Sequence, residues 1–344
     1  MGHLVLQGPP GTGKSSLARA LCEAFQVSTF PVTAHEDWSV FDVIGRLELR
    51  LGDDRKEEIV PVNGYVTEAV VRCANAISKH FDESTEPQAE WLLIDELNRA
   101  HMDRAFGELF TVLGTDTATP ITLPHQRDGN RNLVIPGRFR IIATLNSFDR
   151  QFVNNLSQAI RRRFTFITVD IPNKRPASVS WTSTTDPAPL AIQEYRLVCQ
   201  RVARRVAKRL SSMDSSSTER HYGEILAALT GDLSPLVASF FDFIERIRYA
   251  SNDQGVPHLP IGTAQLIDTL ELFFLRFRQD GESRDVAGQL LDWAVSVKIV
   301  PLFDSDVIAP ETLKAFANSL ATPFDTATRR QLLEIVAAGM YFVE

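Results

Sequence analysis

The chain contains 344 residues, of which 44% are hydrophobic, and its formal net charge is −7 at pH 7. This length accommodates one large domain or two medium ones with a substantial core. The acidic balance argues against a protein that coats nucleic acid, and the lack of an apolar run of about 18 residues argues against a membrane span.

The cysteines are far apart in the sequence and do not have the spacing of a metal site. They are Cys22, Cys73 and Cys199. We therefore expect reduced thiols in a cytoplasmic protein. The first residues are typical of a core strand rather than of a signal peptide.

The amino-terminal region carries a phosphate-binding loop. Residues 4–6 predict a short buried strand, residues 15–25 predict a helix, and the segment between them fits the pattern G-x-x-x-x-G-K-[ST]. In this pattern glycines let backbone N–H groups point at phosphate oxygens, Lys14 reaches the β- and γ-phosphates, and the Ser15 hydroxyl binds Mg²⁺. A glycine-rich turn without a ligand is the alternative. The residues predicted to bind a nucleoside triphosphate are Gly8, Pro9, Pro10, Gly11, Thr12, Gly13, Lys14, Ser15 and Ser16.

Two hairpins are predicted farther along the chain. Residues 46–62 alternate between apolar and polar around Gly52-Asp53-Asp54, and residues 121–135 contain two apolar runs around Asp128-Gly129-Asn130. Alternation on both sides of a polar turn is the usual signal of a β-hairpin. The simpler interpretation of each is a surface hairpin without a functional role.

The strand predicted over residues 91–96 ends in two carboxylates, Asp95 and Glu96. We expect Asp95 to hold Mg²⁺ through water and Glu96 to polarise an attacking water as a general base. A strand that merely ends in an acidic turn is the alternative. Downstream of a phosphate-binding loop, however, this pair indicates nucleotide hydrolysis.

Two further segments supply candidate catalytic residues. The strand predicted over residues 138–146 ends in Asn146, whose amide can hydrogen-bond the γ-phosphate or the lytic water at the carboxyl edge of a parallel sheet. A helix predicted over residues 157–164 ends in Arg161, Arg162 and Arg163 and is followed by a strand. Three consecutive arginines are usually a solvated helix end.

Together these segments resemble an AAA+ ATPase, and within that superfamily the MoxR and McrB-type branch, which includes dynein-related AAA domains. The matching residues are the GPPGTGKS loop, the run from Leu93 to Ala100, the run from Leu145 to Arg150, and Arg161 to Phe164. The resemblance is good over about residues 3–171 and loose beyond them.

The resemblance implies an α/β fold, a P-loop AAA+ core with a parallel sheet flanked by helices and an all-helical C-terminal lid. It also implies a homo-oligomeric ring, with six subunits expected. In such rings the arginine-bearing helix end faces the neighbouring subunit, so Arg162 and Arg163 are candidates for a catalytic role in trans. The predicted hairpins can project into the pore of such a ring.

The C-terminal half is predicted to be helical. We expect a core over residues 1–172, a solvated Ser-, Thr- and Pro-rich linker over residues 173–189, and a helical lid over residues 190–344. The predicted helices cover about 190–211, 219–250, 263–279, 285–300, 311–320 and 326–340. The second sensor arginine of AAA+ lids has no counterpart at residues 260–265, where Gln265 is the candidate substitute unless another arginine takes that place.

One predicted helix is strongly basic. Its cationic residues are Arg196, Arg201, Arg204, Arg205, Lys208 and Arg209, and they accompany an apolar stripe. A solvated outer face is the simpler interpretation, and a docking surface for nucleic acid or an acidic partner is the alternative.

The expected function is that of an ATP-hydrolysing remodelling motor with ATP and Mg²⁺ as its cofactors. The alternatives are a GTP-hydrolysing motor subunit of a McrB-type restriction complex and a slow nucleotide-gated scaffold; a small-molecule kinase fits less well. A separately encoded adaptor or nuclease is a possible partner.

Because the loop begins at residue 8, we expect a module lacking its N-terminal extension or a partial gene product. Scattered histidines argue against any other metal site.

Overall fold

The fold is taken from a computed structural model of the chain. The structure describes residues 2–51, 57–83, 87–107, 109, 112–113, 120–127, 130–146, 158–211, 215–251, 255–304 and 308–340. It divides into two compact units, Met1–Asp170 and Ile171–Glu344.

The first unit is built on a parallel five-stranded sheet. The strands described in this unit, inside and outside that sheet, are β1 (His3–Gly8), β2 (Ser28–Thr33), β3 (Gly45–Leu51), β4 (Glu57–Asn63), β5 (Glu90–Asp95), β6 (Ile121–Arg127), β7 (Asn130–Leu133), β8 (Ile141–Asn146) and β9 (Phe164–Thr168). The sheet order is β2-β5-β8-β1-β9, with every neighbouring pair parallel. Strands β1, β5 and β8 are apolar and almost wholly buried because they lie in the middle of this sheet.

Helices accompany the sheet in the first unit. They are α1 (Lys14–Ala24), α2 (Val40–Val43), α3 (Tyr65–Asp82), α4 (Met102–Phe106) and α5 (Gln158–Arg163). Helix α3 buries Val66, Val70 and Cys73 along one side, as expected for an amphipathic helix that covers a sheet. Neither β2 nor α3 was among the elements predicted from the sequence.

Both predicted hairpins are confirmed. Strands β3 and β4 pair antiparallel from Gly45 opposite Asn63 to Leu51 opposite Glu57, and β6 pairs antiparallel with β7. The predicted turn residues 52–54 and 128–129 lie outside the described residues.

The second unit is helical, which confirms the predicted α/β core followed by a helical region. Its described α-helices are α6 (Leu190–Leu210), α7 (Ser215–Thr230), α8 (Ser234–Arg248), α9 (Thr263–Gln279), α10 (Arg284–Lys298), α11 (Pro310–Asn318) and α12 (Ala327–Met340). Their apolar faces form one core that includes Val198, Phe240, Phe273 and Leu291.

The single helix predicted over residues 219–250 is wrong, because helices α7 and α8 replace it and meet at an angle of 67°. A Cβ on Gly231 would lie 2.7 Å from the carbonyl oxygen of Ala227, so this tight end of α7 requires glycine. Pro235 then stands in the first turn of α8, where its missing N–H costs nothing.

The solvated linker predicted over residues 173–189 also needs correction. Trp181 is only 5% exposed and packs its ring against Tyr195 and Phe241. Its Nε1 donates a hydrogen bond of 2.8 Å to Asp242. One large aromatic residue therefore ties an otherwise polar segment to the helical core, and the three-part domain division remains a prediction.

Within the described part of the chain, no single helix is both long and apolar enough to cross a membrane. The bent pair α7 and α8 reaches the required length and composition only when both helices are taken together. Apolar side chains of this pair, among them Ile225, Val237 and Ile244, are buried in the core of the second unit.

Candidate nucleotide-binding site

The phosphate-binding loop connects β1 to α1 at the carboxyl edge of the sheet. A Cβ on Gly8 would lie 2.0 Å from the carbonyl oxygen of Val169, so only glycine fits between the two segments. Gly13, which precedes the helix, has a φ of 88° in the left-handed region. The sequence pattern therefore corresponds to two backbone positions that no other residue occupies without strain.

Lys14 begins helix α1 and folds its side chain back over the loop. Its Nζ donates hydrogen bonds to the carbonyl oxygens of Gly8 at 3.0 Å and Pro9 at 2.7 Å, and only 6% of the residue is exposed. Burial lowers the pKa of Lys14, while the carboxylates of Asp95 and Glu96 oppose that shift. The ammonium group thus already lies at the loop that would hold phosphate.

Asp95 ends strand β5 and accepts two hydroxyl hydrogen bonds. Ser15 Oγ donates to its Oδ1 at 3.0 Å, and Thr144 Oγ1 donates to the same oxygen at 2.5 Å. The Thr144 oxygen also accepts the backbone N–H of Glu96 at 3.0 Å. Strand β8 lies next to β5 in the sheet, which places Thr144 beside both acidic residues. Thr144 lies within the strand predicted over residues 138–146, but the sequence assigned it no role.

Glu96 occupies an uncommon backbone conformation, with φ of 54° and ψ of 46°. For a residue other than glycine this conformation costs about 1 kcal/mol or more and is frequent at functional sites. Its Oε2 lies 2.7 Å from the Nε of Arg99, three residues later. The carboxylate is therefore held by Arg99 in this structure, a partner that sequence reasoning did not assign.

Asn146 lies at the carboxyl end of β8, and the β1–β8 register puts it opposite Gly8 at the start of the loop. Its backbone N–H donates to the side-chain oxygen of Asn98 at 3.2 Å, and Asn98 is 3% exposed. A buried amide thus connects the turn after Glu96 to the end of β8. Asn98 was not predicted as a site residue, and residues 147–150 of the quoted motif lie outside the described residues.

The three arginines lie at the amino-terminal ends of the strands, opposite to the loop. Helix α5 ends at Arg163, and β9 begins at Phe164, whose register partner is His3 at the start of β1. Gly8 and the loop follow the far end of β1, about 17 Å away for a strand of this length. Arg161 and Arg162 are exposed, and Arg163 is half-buried. This fold therefore does not bring the three arginines to the phosphate-binding loop of the same chain.

A cavity of about 200 Å³ opens beside the loop. Its polar lining includes Ser15, Arg19, Thr33, Asp95 and Thr144. Ligands of open parallel sheets bind at this carboxyl edge. The carboxyl ends of the strands, the phosphate-binding loop and the acidic pair Asp95 and Glu96 therefore form one candidate site.

Comparison with known proteins is in accord with this geometry. The family described as AAA domain (dynein-related subfamily) matches residues 3–164. Residues 3–164 are an AAA domain of this subfamily.

Two relatives each match about half of the chain. The type IV methyl-directed restriction enzyme EcoKMcrB subunit of Escherichia coli (strain K12) is 28% identical over 182 residues, which cover 49% of this chain and 35% of that protein. An uncharacterized protein of Staphylococcus aureus (strain USA300) is 28% identical over 172 residues, covering 49% of this chain and 55% of its own length. The matched region thus spans about a third to a half of these relatives.

The AAA domain offers oxygen donors that suit Mg²⁺. The Ser15 hydroxyl and the Asp95 carboxylate already contact each other, and hard oxygen ligands are what Mg²⁺ prefers. In the described ranges no cluster of three or more His, Cys, Asp or Glu side chains could hold a metal by itself. Ser15 and Asp95 are the residues of the AAA domain that would hold Mg²⁺.

Proposed function

We propose that the chain is an ATP-hydrolysing AAA+ motor that acts as an oligomeric ring. The observation that carries the proposal is the hydrogen-bonded group of Ser15, Asp95 and Thr144 beside the buried ammonium of Lys14. Three separate segments of the chain supply it: the first turn of α1, the end of β5 and strand β8.

Binding is assigned to the loop and the first turn of α1. Lys14 exchanges its two carbonyl acceptors, Gly8 and Pro9, for β- and γ-phosphate oxygens. Ser15 and Asp95 would hold Mg²⁺, which would neutralise charge on the phosphates. Because the ammonium is almost fully buried, its attraction for phosphate is screened less than it would be in water.

Hydrolysis is assigned to Glu96 as the general base. In this structure the carboxylate pairs with Arg99 through Oε2. Glu96 directly follows Asp95 in the chain and therefore lies close to the proposed phosphate site. Asn146 lies opposite Gly8, at the start of the loop, in the β1–β8 register. We propose that the Asn146 side chain orients the lytic water and that the helical unit acts as a lid.

The ring proposal depends on Arg162 and Arg163. They lie at the amino ends of the strands, opposite to the loop of their own chain, and we assign them to the nucleotide of a neighbouring subunit. An arginine donated in trans contributes about 10³–10⁵ in rate in comparable phosphoryl-transfer enzymes. The hexameric state is part of this proposal.

A subunit-mixing experiment tests the ring. Arg162→Ala/Arg163→Ala and Lys14→Ala variants are each assayed for ATPase activity alone and then mixed. Partial recovery is expected in the mixture, because each variant supplies what the other lacks at a shared interface.

Lys14→Ala mixed with Glu96→Gln is the matched control, since both defects affect the same half of the site and no recovery is expected. Arg161→Ala should retain activity. Activity that is independent of protein concentration, together with no recovery, would refute the ring.

A GTP-hydrolysing motor of a restriction complex is the second candidate. It is favoured by the 28% identity to the subunit of a type IV methyl-directed restriction enzyme. A separately encoded nuclease would then be the partner. Comparing kcat/KM for ATP and GTP on the same preparation distinguishes the two candidates, and a preference for GTP of tenfold or more would favour the restriction motor.

A further inference from the structure

The second unit carries a concentration of positive charge that the proposed function does not use. Helix α6 contains six Arg and Lys side chains and a single carboxylate, in a chain whose net charge is −7. That carboxylate, Glu194, is buried and paired with Arg248 of helix α8, so it does not reduce the positive charge on the exposed side.

Acidic residues of helix α9 neutralise one flank of α6. Arg205 pairs with Asp268 and Glu271 at 2.7 and 3.1 Å, and Arg209 pairs with Glu271 at 2.8 Å. These two arginines are accounted for by packing between helices. An ordinary solvated face would explain them without any ligand.

The adjacent flank is different. Arg201, Arg204 and Lys208 are exposed, and in the described part of the chain no carboxylate forms an ion pair with any of them. We call these three residues the basic ridge. The guanidinium carbon of Arg204 lies 5.7 Å from the centre of the Tyr222 ring, a cation–π contact that orients the side chain without neutralising it.

We propose that the basic ridge binds the phosphate backbone of nucleic acid. Positions 201, 204 and 208 follow one another at about one per helical turn and cover about 10 Å along the helix axis. One strand of duplex DNA presents a phosphate every 3.4 Å of its axis, so about three phosphates face the three cations. A regular linear polyanion matches this spacing better than the irregular carboxylates of a protein surface.

Arginine chemistry supports the same ligand. Guanidinium groups bind phosphate oxygens through two parallel N–H donors, and Lys adds a compact point charge. On the α9 side, Asp268 and Glu271 balance the charges of Arg205 and Arg209, so that flank offers a polyanion no net positive charge. The proposal concerns the helical unit alone and does not depend on nucleotide hydrolysis.

Fluorescence anisotropy of the full chain with a labelled DNA duplex of arbitrary sequence tests the proposal over a series of NaCl concentrations. The variant Arg201→Gln/Arg204→Gln/Lys208→Gln should lose at least about tenfold in affinity. Its slope of log K against log[NaCl] should fall by about 2.7, because each lost phosphate contact contributes about 0.9. A charge-retaining variant, Arg201→Lys/Arg204→Lys, should keep most of the slope.

The matched control removes the same charge elsewhere on the unit. Arg276, Arg284 and Arg330 are exposed and pair with Asp280, Asp232 and Glu334. Their triple change to Gln should alter DNA affinity less than twofold, and circular dichroism should show both triples folded. Equal losses in the two triples, or no binding by the unmodified chain, would overturn the proposal. Displacement of DNA by poly-glutamate more readily than by unlabelled DNA of equal charge would contradict it in favour of an acidic protein.

Discussion

Ser15 and Asp95 are joined by a hydrogen bond of 3.0 Å although 80 positions separate them in the chain. The hydroxyl belongs to the first turn of α1 and the carboxylate to the end of β5, so the contact requires the folded sheet. It places two oxygen ligands side by side next to the phosphate-binding loop.

Glu96→Gln is expected to bind ATP but to lose most hydrolysis, because an amide cannot accept the proton of the attacking water. General-base catalysis contributes about 10²–10⁴ in rate. Steady-state phosphate release and a fluorescent-nucleotide titration measure the two effects separately. Glu58→Gln, an exposed carboxylate on strand β4, is the control. Hydrolysis within about threefold of the unmodified chain would show that Glu96 is not the base.

Lys14→Ala is expected to weaken nucleotide binding itself, because it removes the buried ammonium from the loop. Charge-assisted contacts with phosphate are about twice as strong as neutral hydrogen bonds. Equilibrium titration with a fluorescent ATP analogue provides the dissociation constant. Lys79→Ala, on the exposed side of α3, should leave that constant unchanged. If Lys14→Ala binds as tightly as the unmodified chain, the loop does not hold the triphosphate.

Thr144→Val tests a residue that acts through its neighbours. The substitution keeps the shape of the side chain but removes both the donor to Asp95 and the acceptor for the Glu96 N–H. Loss of such a supporting contact at a metal site typically costs 10–100-fold in metal affinity or activity. We expect the Mg²⁺ concentration for half-maximal hydrolysis to rise, and Thr144→Ser to restore it. An unchanged Mg²⁺ dependence in the valine variant would contradict this role.

The buried ion pair of the second unit predicts a stability effect. Glu194 accepts two hydrogen bonds from Arg248, at 2.6 and 2.9 Å, and one from Thr263 at 2.6 Å. Glu194→Gln leaves a buried guanidinium without its counter-charge and should lower the free energy of unfolding by about 3–5 kcal/mol. Adding Arg248→Met should recover part of that loss in urea denaturation.

Glu334→Gln serves as the control for this stability measurement, since its partner Arg330 is a surface residue. Surface ion pairs contribute little because water and salt screen them. Equal destabilisation by Glu194→Gln and Glu334→Gln would mean that burial does not strengthen the inner pair.

His3 predicts a pH effect on the first unit. Burial and the nearby Arg140 lower the pKa of His3 from 6.5 to about 4, and its Nδ1 accepts the N–H of Ile141 at 3.0 Å. Above pH 6.5 the ring is neutral in both the folded and unfolded chain. As the pH falls from 6.5 towards 4, the unfolded chain binds a proton that the folded chain excludes, so stability declines by up to about 3 kcal/mol.

His3→Asn keeps an acceptor for the Ile141 N–H but does not titrate. Its free energy of unfolding should therefore fall less over this pH range than that of the unmodified chain. Urea denaturation at pH 7, 6 and 5 gives both curves. Parallel curves would show that His3 does not contribute to the pH dependence.

Much of the first unit was predictable because its signals are local. The phosphate-binding loop, the acidic end of β5 and both hairpins depend on neighbouring residues, and the structure has them where the patterns indicate. Strand β2 and helix α3 were not predicted, although the buried residues of α3 recur at helical spacing. The arginines at the end of α5 were noticed from their sequence, but their distance from the loop follows only from the β1–β9 register.

Two features of the second unit were predicted wrongly, the helix over residues 219–250 and the solvated state of the segment before α6. Apolar residues continue across the bend between α7 and α8, so periodicity alone does not reveal it, although Gly231 and Pro235 mark the place. Composition correctly described the segment before α6 as polar, but one tryptophan, Trp181, decides its packing. The correction at Trp181 concerns contacts with residues distant in sequence, whereas the bend has local causes at Gly231 and Pro235.

The sequence by itself determined the nucleotide-binding loop, because consecutive backbone groups and adjacent side chains make up that element, and glycine alone tolerates its geometry. Only the tertiary structure decided the roles of Thr144, Asn98 and Arg99 beside the acidic pair. Thr144 and Asn98 meet their partners across adjacent strand ends, and Arg99 meets Glu96 through an uncommon left-handed turn. Strand order and backbone conformation create these contacts, and neither is encoded in the spacing of any one motif.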